Sequence, residues 1–221
     1  MGFLDWLFKQ PRFKRFEDAF TLTRVKLWEA LRNSIDSPHH SEKAVWLVVH
    51  FLDTFTELQN QLDRWGLDYD IVSSEIKVRE LDRSGLLGKD SIKLILADLV
   101  PEPLSSIEVL NPKDNQQVAM IVVERHPMLD HDQRLLNFAK SLPVKVEFGY
   151  YLALDDVVIK SIIDPMTIQI LKQLGLDDLE LITSNMITRR LETVLRRHAT
   201  AYQSDVRADS VVEWLEVNRA P

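Results

Sequence analysis

Along the chain, apolar side chains recur with two different periods, and the order of those periods predicts the elements. From Glu17 to Ile35, the positions Phe20, Leu22, Val25, Leu27, Trp28, Leu31 and Ile35 keep helical spacing, and Asp36-Ser37-Pro38 closes the element. The run AVWLVVHFL from Ala44 is too dense for a strand with one wet face, and predicts a parallel strand buried on both sides. A helix is predicted from Thr54 to Trp65 with Gly66 as its C-terminal cap, followed by a strand at Tyr69-Asp70-Ile71-Val72. Parallel neighbours need a crossover, so these pieces form a βαβ unit.

The alternation continues with Ser74 to Leu87 as helix and Ile92 to Leu99 as strand. A Pro101 to Asn115 connection follows, containing SIEVL as a short strand, and then VAMIVVE as a second deeply buried strand. RHPMLDHDQRLLNFAKSL predicts a loop opening a helix capped by Asp130, and Val144 to Leu154 a strand with alternating faces. Helices are predicted over Asp155 to Leu174, broken near Pro165, and over Thr183 to Arg197. The fold class is therefore α/β: a three-layer, mostly parallel twisted sheet with helices on both faces and flanking helices at each terminus. The predicted organisation is a basic and aromatic segment over 1–16, an α/β domain over 17–200, and a tail over 201–221 in which SVVEWLEV is a short amphipathic helix that docks or stays free.

Composition narrows the function. With 221 residues and 45% hydrophobic content the chain can build a sizeable core, and its formal charge of −7 argues against a general nucleic-acid binder. The chain contains no cysteine, which removes disulfides, thiolate metal sites and cysteine nucleophiles, and fits a reducing, cytoplasmic setting. Neither a stretch long enough to span a bilayer nor a secretory signal is visible, so the expectation is a protein neither exported nor integral to a membrane. Within the first segment, Phe3, Leu4, Trp6, Leu7 and Phe8 mix with Lys9, Arg12, Lys14 and Arg15. That mixture reads either as an anchor for an anionic membrane surface or as a helix packing its aromatics on the domain.

Candidate chemistry is thin. Glu124, Arg125, His126, Asp130, His131 and Asp132 crowd the end of a buried strand, where parallel sheets place their sites. They read as a metal-assisted hydrolytic cluster or as a solvated loop whose acids favour the next helix; the second reading expects no metal and no cofactor. His39 and His40 are adjacent in a loop, and HExxH is absent. Neither a phosphate-binding GxxxxGK[ST] or GxGxxG turn nor a GxSxG nucleophile elbow occurs. Asp155-Asp156 reads as the acidic start of a helix rather than a catalytic pair.

Four stretches in shared order resemble the second motor domain of SecA, the preprotein translocase ATPase of bacteria. TRVKLWEALRNSI with AVWLVVHFLDTFTELQNQLDRWGLDYDIV looks like that domain's first helix, strand, helix and second strand. ERHPMLDHD resembles ERHESRRID, matching at Glu124, Arg125, His126 and Asp132; FGYYLALDD resembles FYLSLED, matching at Tyr151, Leu152, Leu154 and Asp156. SNMITRRLETVL resembles EHRMVTRAIERAQ, with Met186, Thr188 and Arg189 in register. The resemblance covers roughly residues 20 to 198 and implies a RecA-like fold, the second lobe of a helicase-type motor. In that family the domain closes over ATP with arginines from QLRGRSGRQGD, whereas the corresponding positions here hold Leu136, Phe138 and Ser141. Loss of such guanidiniums costs orders of magnitude in phosphoryl transfer. The resemblance therefore implies a pseudoenzyme: a non-catalytic adaptor or scaffold that binds another protein, through an exposed loop from Arg125 to Asp132. The alternatives are a peripheral membrane protein held by residues 1–16 and the metal-assisted hydrolase of the 124–132 loop.

Overall fold

The computed structural model describes residues 12–37, 39, 40, 42–81, 83–103, 113–160, 169 and 181–219. In chain order its elements are β1 (Phe13–Arg15), β2 (Ala19–Thr21), α1 (Arg24–Ile35), β3 (Ala44–Val49), α2 (Leu52–Trp65), β4 (Tyr69–Ile71), β5 (Ile92–Leu96) and β6 (Lys113–Val122). They continue with α3 (Leu129–Ser141), β7 (Val144–Ala153), α4 (Val157–Lys160), β8 (Ile182–Thr183), α5 (Asn185–His198) and α6 (Val211–Asn218). The sheet runs β4-β5-β3-β6-β7-β2-β8, with β1 also on β7, and every pairing is parallel except β2 with β8.

The unbroken apolar runs are explained by two cores, one on each face of this sheet. Val45, Leu47 and Val49 point toward α1 and α2, where Leu27, Leu31, Leu58 and Leu62 are fully buried. Trp46 and Val48 point the other way, into a larger cluster with Leu135 and Phe138 of α3 and Leu191 and Leu195 of α5. Alternate residues of one strand thus serve different layers, which is why β3 has no polar face. The fold is the α/β, mostly parallel, helix-on-both-faces architecture that the periodicity predicts.

Several local expectations change. The helix predicted from Glu17 begins at Arg24, with Thr23 accepting from Lys26 N–H, because Ala19, Phe20 and Thr21 pair with Tyr151, Leu152 and Ala153 as a strand. Lys14 and Arg15 belong to a second short strand beside Val146 to Phe148, so this end of the basic segment is sheet rather than helix. Phe3, Leu4, Trp6, Leu7, Phe8 and Lys9 lie outside the described residues, whereas Arg12 accepts from Val146 N–H through its backbone oxygen at 2.7 Å. The strand SIEVL and the helix expected beyond Lys160 to Leu174 also lie outside them, apart from Gln169.

Ser74 to Leu87 is not a helix: only Val78–Glu80 forms a 3-10 turn. Ile76, Leu81 and Leu86 are buried five residues apart, so no single helical stripe could present them, and Gly85 adopts φ 73°. The segment is pinned instead by Trp46, whose indole N–H donates to the Leu86 carbonyl at 2.8 Å. Gly66 closes α2 at φ 67°, as its position predicts.

Candidate functional site

The strand-end residues singled out by sequence do meet, but underneath the surface. Glu124, Arg125, His126 and Asp132 are 6%, 3%, 4% and 3% exposed, so the loop expected to be an open interaction surface is buried; only Asp130 of the five is exposed. Asp130 does not cap α3 either. The helix starts at Leu129 with Met128 in the cap position, and Asp130 sits in the first turn.

Glu124, Arg125, His126 and Asp132 each have partners within the chain, although the Arg125 Nε–H has none. Glu124 follows β6 and reaches across to the start of α2, accepting from His50 N–H at 2.7 Å, Phe51 N–H at 3.0 Å and the Thr54 hydroxyl at 2.7 Å. Phe51 has no capping side chain of its own, so Glu124 supplies the cap of α2 from a neighbouring strand. Burial pushes the Glu124 carboxyl above its ordinary range, against the pull of His50 and these hydrogen bonds. Arg125 lies 3.5 Å over the Tyr150 ring, donates to Asp132 at 3.1 Å and pairs with the wholly buried Asp18. For Asp132, burial opposes the charge, but Arg125 and His50 outweigh it and hold the carboxyl below its usual value.

Three imidazoles cluster beside this ion-pair group. His126 lies 3.8 Å from His131 and 5.3 Å from His50, centroid to centroid, with Phe51 parallel to it at 5.4 Å. His50 meets Asp132 at 3.0 Å, and His131 meets Asp205 at 2.6 Å. Burial, then the neighbouring His50 and His131, depress the His126 pKa far below its ordinary value. The tail closes the top: Trp214 is 1% exposed, sets its edge on His126 at 5.1 Å, and donates its indole N–H to Asp205 at 3.2 Å. Asp205 and Trp214 lie some seventy to ninety residues from the loop, and no spacing signal could have linked them to it.

His126, His131 and Asp205 place one potential ligand atom each within 4.8 Å of one another, as do His39, His40 and Glu147. In the first trio, His126 Nδ1 accepts from Met128 N–H at 3.1 Å, which leaves the proton of the neutral ring on Nε2, so that nitrogen offers no lone pair to an ion. In the second, the Lys43 ammonium already bridges His39, at 2.9 Å, and Glu147. Glu124, Asp130 and Asp132 join neither trio.

Of the acid pair after β7, Asp156 is tied into the fold. Asp156 accepts from Arg24 at 2.8 Å and from Ala153 N–H at 3.4 Å, and Arg24 also reaches Glu57 at 2.8 Å and Thr54 at 3.0 Å. On α3, Phe138 is fully buried, Leu136 is 9% exposed, and Ser141 donates to the Phe138 carbonyl at 2.8 Å. None of these three positions presents a polar head to a ligand.

No family model matches the chain, and no curated protein matches it. Among solved structures, the C-terminal part of the Fun30 ATPase domain is similar at a TM-score of 0.38 and 11% identity, over 76% of this chain and 53% of that one. The chain thus spans about half the length of that structure. A likeness at this level carries no argument about function.

Proposed function

We propose that this protein is a non-catalytic α/β module that works by binding another protein as an adaptor or scaffold. One observation carries the reading: at the carboxyl ends of the central strands, where parallel sheets open their active sites, Glu124, Arg125, His126 and Asp132 are buried and paired with the chain's own groups, and Trp214 packs on His126. A buried group whose hydrogen bonds are spent internally cannot also bind a reacting atom without breaking them.

A remote common origin with the second SecA motor domain is part of this proposal, supported by the four quoted stretches, and the core positions of Leu136 and Phe138 fit a lobe without ATP chemistry. So is a cytoplasmic setting, supported by the absence of cysteine; among the described residues no helix is long and apolar enough to cross a membrane. Calorimetric titration with ATP and a steady-state hydrolysis assay on the purified chain test the reading directly. The expected result is no turnover; hydrolysis abolished by Arg125→Ala in a variant that still folds overturns it.

A further inference from the structure

On the face of the sheet that carries α1, a mostly apolar cavity of about 220 Å³ lies between the end of that helix and strands β6, β7, β2 and β8. We infer that it binds a small uncharged aromatic molecule bearing one hydroxyl or N–H group. The inference stands apart from the adaptor reading, because the cavity shares no residue with the strand-end group of Glu124, Arg125, His126 and Asp132.

Small side chains open the space. Ile121 packs with Leu27 and Leu31 of α1, and its register partner on β7 is Gly149. Ala119 pairs with Glu147 and Ala19 with Tyr151, so these positions share that face of the sheet. Elsewhere on it Leu47, Val49 and Ile121 fill the layer beneath the helices, whereas Ala19, Ala119 and Gly149 leave it hollow. The backbone does not demand the glycine: an added Cβ at Gly149 would meet only the Phe16 Cβ, at an ordinary 3.6 Å.

Size then selects the occupant. An apolar cavity of about 150 Å³ is enough for benzene, and pockets for drug-sized ligands run from about 300 Å³ upward. A volume of 220 Å³ therefore suits one ring or two fused rings and excludes a nucleotide. Phe16, Ile121, Tyr151 and Leu181 supply the aromatic and aliphatic wall.

The rim selects the polar group. Among the described residues the wall holds no lysine or arginine, and its carboxylates are Glu17 and Glu147. The nearby cations are already engaged, Lys43 with Glu147 and His39, and Lys14 over the Phe16 ring at 4.6 Å. A ligand carboxylate would enter without a free cation to meet it, which is costly in an apolar place. Tyr151 donates its hydroxyl to Ser34 at 2.8 Å, so its oxygen and the two carboxylates remain as acceptors for a ligand O–H or N–H. His40, 9% exposed, completes the wall: Nε2 meets Ser34 at 3.2 Å and Nδ1 has no partner in the chain. Burial lowers its pKa to about 4, so the ring brings no charge at neutral pH.

The test is an NMR titration of the full chain with phenol, indole, toluene and benzoate, reading the methyl signals of alanine, isoleucine and methionine. Phenol and indole are expected to give saturable shifts at Ala19, Ala119, Met120 and Ile121, with a Kd of about 1 mM or tighter. Toluene, lacking a donor, and benzoate, lacking a cation to meet it, are expected to bind about tenfold more weakly. Glu147→Gln, which keeps an acceptor oxygen and frees Lys43, is expected to narrow the gap for benzoate. Gly149→Val is expected to abolish binding while the amide spectrum stays dispersed; if that variant does not fold, Ala119→Val closes the same floor from the next strand. Shifts that are absent or scattered over the surface overturn the inference. So do toluene or benzoate binding as tightly as phenol, an unchanged benzoate gap in Glu147→Gln, or unchanged affinity in a folded variant with the floor filled.

Discussion

At the scale of single residues, Glu124 and the histidines decide how the interior tolerates charge. Replacing Glu124 by Ala strips two backbone N–H groups and one hydroxyl of their acceptor in a buried place, and is expected to cost about 3 kcal/mol of stability. Urea denaturation checks this; a change below about 0.5 kcal/mol would mean the cap is dispensable. The histidines set a pH dependence of definite sign. His40, depressed by burial and then by His39 and Lys43, has its pKa lowered from 6.5 to about 4, and His126 is depressed in the same direction. Above 6.5 both states are neutral and stability is full; between 6.5 and about 4 the unfolded chain takes up protons that the folded chain refuses, so stability falls with pH. Glu124, raised by burial, acts in the opposite sense nearer the carboxylate range. The urea midpoint is expected to be lower at pH 5.5 than at 7.5, and the drop to shrink in His126→Phe; equal midpoints at the two pH values would contradict the burial argument.

Among the elements, α6 and the 74–87 segment owe their conformations to the domain they pack against. Helix α6 is eight residues long, too short to persist alone in water, and is held by Ser210 capping Glu213 N–H and by Trp214 against His126 and Tyr202. Trp214→Ala is expected to release the strap before the domain unfolds, because aromatic truncation in a core costs about 3–5 kcal/mol and the ties that remain, Asp53 N–H to the Asp209 carbonyl, Arg207 to Asp98 and His131 to Asp205, are polar contacts. Hydrogen exchange followed by mass spectrometry should show protection lost over residues 203–219 and kept in β3 and β6. Loss of protection throughout would instead make the strap part of the folding core. The helix expected over Ser74 to Leu87 fails for a related reason: Ile76, Leu81 and Leu86 all enter the core cluster at five-residue intervals, which no helical face can supply.

For the molecule as a whole, strand ends filled by internally paired side chains predict that nucleotide leaves the thermal midpoint unchanged within about one degree. Much of the architecture was legible beforehand because the strong signals were dense and local. AVWLVVHFL and VAMIVVE could be satisfied only by burial on both faces, Gly66 by a helix end, and the alternation of strand with helix by a parallel sheet. The short pieces were not legible: three residues such as Ala19-Phe20-Thr21 carry too little period to separate strand from helix, and only the free edge of β7 decides between them. For the site, sequence picked out Glu124, Arg125, His126 and Asp132 by their crowding after a buried strand. Tertiary structure alone could place Asp18, His50, Asp205 and Trp214 around them, since ion pairing and burial depend on distance in space and leave no trace in spacing along the chain.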